Sequence, residues 1–291
     1  HLRAVLYGAY DVGQAVSPGR TPMFDLSPML AMLEWSAAAD RFNRTGDARD
    51  LASLVNDQRK NLASTAGKDH QLLDQVGAIG SLANGLRDIS QALHLIRPTQ
   101  TLELTHDLPR RVKNARPALQ RARAARPFEM LLDRVEQRFS PLGQADPLAE
   151  ENLPATLDKQ RCMIRQYADW ELWVQAITLS REWLISWYML GLGYDDIVDK
   201  NYRQEVEERV NSESYLVRTA QQNKKALPAL GLMNLPEGLA ALTLWSTIAD
   251  VRNDIDHAGM RKHCREPKDL IPQVEYIIQQ IEKLPLPGLP T

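Results

Sequence analysis

Residues 173–193 read WVQAITLSREWLISWYMLGLG, the most apolar stretch of the chain, and their reading decides the fold. Such apolarity invites a membrane-span reading. Arg181 and Glu182 stand in the middle of the stretch, where charge harms a lone spanning helix most. The stretch therefore reads as the buried helix of a soluble helical bundle.

The pattern on either side is also helical. Toward the C-terminus, helices are expected at about 202–223 and 236–257, then over DLIPQVEYIIQQIEKL, 269–284. In that last one Leu270, Val274, Ile277, Ile281 and Leu284 draw one apolar face. Toward the N-terminus, the apolar stretch itself reads as helix from about 171 to 192, preceded by helices at about 157–168, 115–139, 69–96 and 48–63. The segment DLSPMLAMLEWSAAADRFNRTGD, 25–47, has Ser27 as N-cap candidate, Pro28 in the first turn and Gly46 as its stop. Leu26, Leu30, Leu33 and Ala37 are its predicted buried stripe. RAVLYGAY, 3–10, is strand-like, and a lone strand needs a partner to be stable. Residues 140–156, with three prolines and a glycine, read as an exposed loop or linker. Trp170, Trp173, Trp183, Trp187 and Trp245 fall in helical periodicity and read as core or interface.

Composition narrows the function classes. The 291 residues are 44% hydrophobic and 25% charged, ordinary for a globular chain. A net charge of −2 offers no global attraction to nucleic acid or membrane, so any such binding needs a local patch. Two cysteines 102 residues apart, Cys162 and Cys264, exclude a disulfide framework and a cysteine-rich zinc module. They fit a reducing, cytoplasmic compartment.

One helix end concentrates chemistry. ADVRNDIDHAGMRKH, 249–263, sets an arginine, three aspartates and a histidine within Asp250–His257. Asp250 and Asp254 share a helix face, with Asp256 and His257 near, yet the spacing matches no metal signature; no metal and no cofactor is expected. The acids also have Arg252, Arg261 and Lys262 as ordinary ion-pair partners. Asn253 and His257 are four apart and therefore neighbours on a helix. Arg252 lies about 140° around from His257 at 3.6 residues per turn, within reach of a long guanidinium if the helix loosens at Ala258–Gly259. Imidazole can move the proton of an RNA 2′-hydroxyl, and guanidinium can hold a scissile phosphate. A solvated helix tip would show the same residue types. A second asymmetry is PRRVKNARPALQRARAARP, 109–127, which carries Arg110, Arg111, Lys113, Arg116, Arg121, Arg123 and Arg126 with no acid. It suits a phosphate-tracking groove or, equally, a solvated helix face. His70, His94 and His106 have no ligand-spaced neighbours and receive no role.

Four stretches in order, VLYGAYD (5–11), TPMFDLSPMLAMLEWSAAADRFNRTGDA (21–48), QAITLSREWLISW (175–187) and RNDIDHAGMR (252–261), resemble the CRISPR-associated accessory ribonucleases that join a CARF domain to a HEPN domain. The resemblance implies a Rossmann-like sensor for a cyclic oligoadenylate, made in type III antiviral defence. It also implies a dimeric helical HEPN part that cuts single-stranded RNA without metal. The family's Arg–polar–spacer–His motif maps onto Arg252, Asn253 and His257. The sensor needs several βα units before VLYGAY, so the chain reads as the effector half, its sensor truncated, diverged or supplied elsewhere.

The expected fold is therefore mainly α: a HEPN-type bundle with a short N-terminal strand. Its segments are a terminal strand and turn at 1–24 as sensor remnant, a helical region with the basic segment at 25–139, a linker at 140–156, and a catalytic helical region at 157–291. The expected function is a metal-independent endoribonuclease with single-stranded RNA and a second copy as partners, and no membrane. A non-catalytic dimerisation or RNA-binding module is the alternative.

Overall fold

The computed structural model describes residues 5–9, 21–67, 69–121, 126–260, 262 and 264–288. Among these the chain forms eleven α-helices and one hairpin, the mainly α fold that the helical spacing predicts. In the hairpin, β1 (Leu6–Gly8) pairs antiparallel with β2 (Met23–Asp25), Leu6 opposite Asp25 and Gly8 opposite Met23. Met23–Asp25, not foreseen as a strand, is thus the partner that the lone strand required. Every side chain of both strands is exposed, so the pairing gains little from burial. It is anchored to the following helix: Val5 N donates to Ser27 Oγ and Leu26 N to the Val5 carbonyl.

The chain divides into two compact units, His1–Ser90 with Leu108–Arg138, and Gln91–Asp107 with Phe139–Thr291. Along the sequence the first helices are α1 (Ser27–Thr45), α2 (Arg49–Ala66), α3 (His70–His94), α4 (Pro98–His106), α5 (Leu108–Arg121) and α6 (Arg126–Phe139). Gly46 ends α1 in the left-handed region at φ 67°, as predicted. Ser27 is not its N-cap, however: Leu26 holds that position, and the Ser27 hydroxyl serves Val5. The buried stripe also differs from the leucine repeat. Leu33 is 65% exposed and Ala37 is exposed, while Trp35, Ala38 and Phe42 are buried. The two aromatic rings remove more area from water than the leucines would and set the helix rotation. Trp35 meets Phe128 at 5.6 Å between ring centres, and the Arg138 guanidinium lies 5.7 Å over Phe42.

Between α1 and α2 a carboxylate is buried rather than an apolar group. Asp47 accepts from Arg49 N, Nε and Nη2 at 3.0, 2.8 and 2.7 Å, and Arg41 Nε lies 3.2 Å away. Its charge is tolerated because two guanidinium groups and a backbone amide meet it. Helices α4 and the first half of α5 were not foreseen. Pro98 and Pro109 each fall in a first helical turn, where a missing N–H costs no helical bond.

The second unit continues with α7 (Leu153–Asp169), α8 (Trp173–Gly191), α9 (Lys200–Gln222), α10 (Gly238–Asp256) and α11 (Pro267–Lys283). The segment 140–156 is not an exposed loop. It holds 3₁₀ turns at Ser140–Leu142 and Glu150–Asn152, runs into α7, and buries Leu142, Gln144, Leu153 and Thr156. Gly143 packs so closely that a Cβ there would lie 2.8 Å from His106 Cα.

Helix α8 is the centre of this unit and contacts α7, α9, α10 and α11. Trp183, Trp187 and Tyr188 are almost wholly buried, and their neighbours supply acceptors for both indoles. Trp183 Nε1 donates to the Leu157 carbonyl at 2.8 Å and Trp187 Nε1 to that of Pro285 at 2.7 Å. Burial pushes the Tyr188 hydroxyl up from its ordinary pKa. Among the described residues no helix is long and apolar enough to cross a membrane. On α11 the predicted face is the buried one, through Val274, Ile277, Ile281 and Leu284, with Ile278 added. Arg165 on α7 clamps Glu275 and Glu282 of α11 at 3.0 and 2.8 Å, which holds the Glu282 carboxyl below the usual carboxylate range.

Asp47→Ala removes three charge-assisted hydrogen bonds from the α1–α2 turn and should cost about 2 kcal/mol of stability, read from the urea midpoint. An unchanged midpoint would show that the arginines gain as much from water.

Candidate functional site

The helix carrying the Arg252–His257 constellation has only one way to begin. Glu237 takes φ 58° ahead of it, and a Cβ on Gly238 would clash with the Leu232 carbonyl oxygen. The buried side chains of Leu242, Trp245, Ile248 and Val251 then fix the rotation of α10, with Trp245 Nε1 donating to Asn211 Oδ1 at 2.8 Å. With that face inward, the last turn divides its polar residues. Asn253, Asp256 and His257 are exposed, Arg252 is half-buried, and Asp254 points inside at 7% exposure.

His257 is the C-cap residue of α10, at φ −83°. Ala258 and Gly259 follow at φ 50° and 72°, and Met260 N donates back to the His257 carbonyl at 2.8 Å. Two successive left-handed residues turn the chain away and leave the imidazole at an open helix end. The loosening that the sequence places at Ala258–Gly259 is there.

Each aspartate has its own arginine. Asp250 pairs with Arg218 at 3.3 Å, Asp254 with Arg265 at 3.8 Å, and Asp256 with Arg252 at 3.2 Å. The Asp250–Asp254 metal alternative meets no support in this arrangement, since the two carboxylates face different cations. Among the described residues no group of three or more histidine, cysteine or acidic side chains is placed to hold a metal ion. Arg252 Nε is shielded from water and lies 3.2 Å from Asp256 Oδ2 without hydrogen-bond geometry, while the Arg252 side chain as a whole is partly exposed. An exposed i, i+4 ion pair contributes only about 0.5 kcal/mol, little against a phosphate competing for the guanidinium.

The basic run resolves into two kinds of residue. On α5, Val112, Ala115, Ala118 and Leu119 face inward, and Arg110, Lys113 and Arg121 are exposed. Arg111 Nη1 donates to Ser81 O at 2.9 Å while its stem lies over Gly85, where a Cβ would come within 2.9 Å. Arg116 Nη2 donates to Asp133 Oδ1 at 2.7 Å. Arg111 and Arg116 are therefore engaged inside the first unit. Arg123 and the Arg126 side chain lie outside the described residues. Arg265 and Arg218 drew no attention in the sequence, because only folding brings them to their aspartates.

Residues 31–143 match a family model described as the second domain of the CRISPR-associated protein MJ1674. Over that span the chain is similar to a CRISPR-associated family. The span covers most of α1, all of α2 to α6 and the basic helix, and stops well before Arg252. No curated protein matches the chain.

Asp256→Asn takes away the carboxylate that neutralises Arg252. Affinity for a short oligonucleotide, measured by titration calorimetry at low salt, should rise roughly twofold, the worth of such a pair. No change would show that Arg252 does not meet the phosphate.

Proposed function

We propose that the chain is a metal-independent endoribonuclease of CRISPR antiviral defence, cutting single-stranded RNA at Arg252, Asn253 and His257 where two copies meet. Activation by a cyclic oligoadenylate through a sensor domain belongs to the same reading. The observation that carries it is the exposed His257 at a helix end, with the partly exposed Arg252 guanidinium five residues back, held only by an exposed ion pair to Asp256. The CRISPR-associated match over 31–143 supports the setting, and the exposed Lys113 and Arg121 supply a surface for phosphates.

In this reading His257 takes the proton of a 2′-hydroxyl. The 2′-oxygen attacks the adjacent phosphorus, the bond from phosphorus to the 5′-oxygen breaks, and that oxygen accepts a proton from a second imidazole or from water. Charge gathering on the phosphate oxygens meets Arg252, and Asn253 orients the imidazole or a phosphate oxygen. The products are a 2′,3′-cyclic phosphate and a 5′-hydroxyl. A binding module without catalysis is the second reading, favoured by the basic face of α5 lying within the CRISPR-associated match.

The test is cleavage of labelled single-stranded RNA in EDTA, with and without cyclic oligoadenylates, by wild type and by an Arg252→Ala/His257→Ala protein. Wild type should cut, and the double variant should lose at least about 10²–10⁴-fold in rate while still binding RNA. Cleavage by both proteins, or only when divalent metal is added, would overturn the assignment; RNA binding without cleavage by either would favour the binding module. Lys113→Glu/Arg121→Glu should weaken binding uniformly across sequences and lower the salt slope by about 1.4, two phosphate contacts' worth for a single strand. An unaltered slope would remove α5 from the RNA path.

A further inference from the structure

The last turn of α10 is acidic at the end where the helix dipole favours cations, and one of its acids is buried. Stability alone does not favour Asp254 there. Its contacts explain what it holds. Asp254 Oδ2 accepts from the backbone amide of Arg265 at 3.3 Å, eleven residues onward, and lies 3.8 Å from Arg265 Nε. The other side of Arg265 reaches α11, where Nη1 donates to Gln273 Oε1 at 2.8 Å, and Gln273 Nε2 in turn donates to the Asp269 carbonyl at 3.0 Å. A clasp from Asp254 through Arg265 to Gln273 thus closes the connection between α10 and α11. His257 sits inside the closed segment, three residues past Asp254, as the C-cap residue whose backbone N–H donates to the Ile255 carbonyl. The left-handed pair Ala258–Gly259 would otherwise let this end fray.

We infer that Asp254 and Arg265 are positioning residues that hold His257 at the end of α10 for catalysis, an inference that rests on the ribonuclease reading. Neither meets the RNA. The carboxylate fixes the returning chain, and the returning chain fixes the histidine. The backbone amide is the stronger link, because its donor survives any change of the Arg265 side chain, whereas the ion pair at 3.8 Å is long.

The experiment compares Asp254→Ala, Asp254→Asn and Gln273→Ala in the full chain, by steady-state cleavage, RNA affinity and amide hydrogen exchange over residues 255–266. Asp254→Ala should lower kcat by about tenfold to a hundredfold, as expected for a misplaced catalytic group, with RNA affinity unchanged and faster exchange in that segment. Asp254→Asn keeps an oxygen for the Arg265 amide and should recover most of the rate. Gln273→Ala, which leaves the inner link intact, should fall between. Wild-type kcat and wild-type exchange in Asp254→Ala would overturn the proposal, as would failure of Asn to restore more than Ala. If wild type itself does not cut RNA, exchange alone reports the clasp. Faster exchange in Asp254→Ala would then keep the clasp and reject only the ribonuclease, and unchanged exchange would reject both.

Discussion

Arg181 and Glu182 enter the middle of α8 between turns whose other side chains are buried, and their charges have to be met within the second unit. Arg181 pairs with Glu182 and with Glu207 of α9, and lies 5.2 Å over the Trp245 ring of α10. Glu182 pairs with Arg203, also on α9, at 2.8 Å. Arg203 in turn donates to the carbonyl of Ile197 and to Ser186 Oγ, so the network joins α8 to the turn before α9. These pairs are partly exposed, so they orient α9 and α10 around α8 more than they stabilise it. The apolar face of the same helix, with Trp183, Trp187 and Tyr188, supplies the burial that makes this unit stable.

The candidate site inherits its geometry from that centre. Trp245 is held by its indole bond to Asn211 and by the Arg181 guanidinium, and with Leu242, Ile248 and Val251 it fixes the rotation of α10. Rotation decides which residues of RNDIDH face water. A shift of one position along the helix, about 100°, would expose Asp254 and turn its neighbours inward. The chemistry proposed for Arg252 and His257 is thus a consequence of packing two turns earlier.

The first unit follows a different rule. Its α1–α2 turn is built on the buried carboxylate of Asp47, and α5 gives Arg111 and Arg116 to internal bonds while presenting Lys113 and Arg121 outward. Charge there is divided between holding helices together and facing solvent. Residue type alone does not separate the two uses, since Arg116 and Arg121 lie on the same helix.

By itself the sequence determined the mainly α fold, the buried character of 173–193, the apolar face of α11 and the stop at Gly46. Each is a local matter of periodicity, charge placement or the φ that only glycine adopts cheaply. It also placed Arg252, Asn253 and His257 at a helix end, because their spacing and Ala258–Gly259 are local. Only the tertiary structure decided that Met23–Asp25 pairs with Leu6–Gly8, that Trp35 and Phe42 rather than the leucines of α1 face inward, and that 140–156 is packed. Only it gave Asp250 and Asp254 their arginines, Arg218 and Arg265. Those outcomes depend on which distant side chains fill a space or neutralise a charge, and no window of sequence contains both partners.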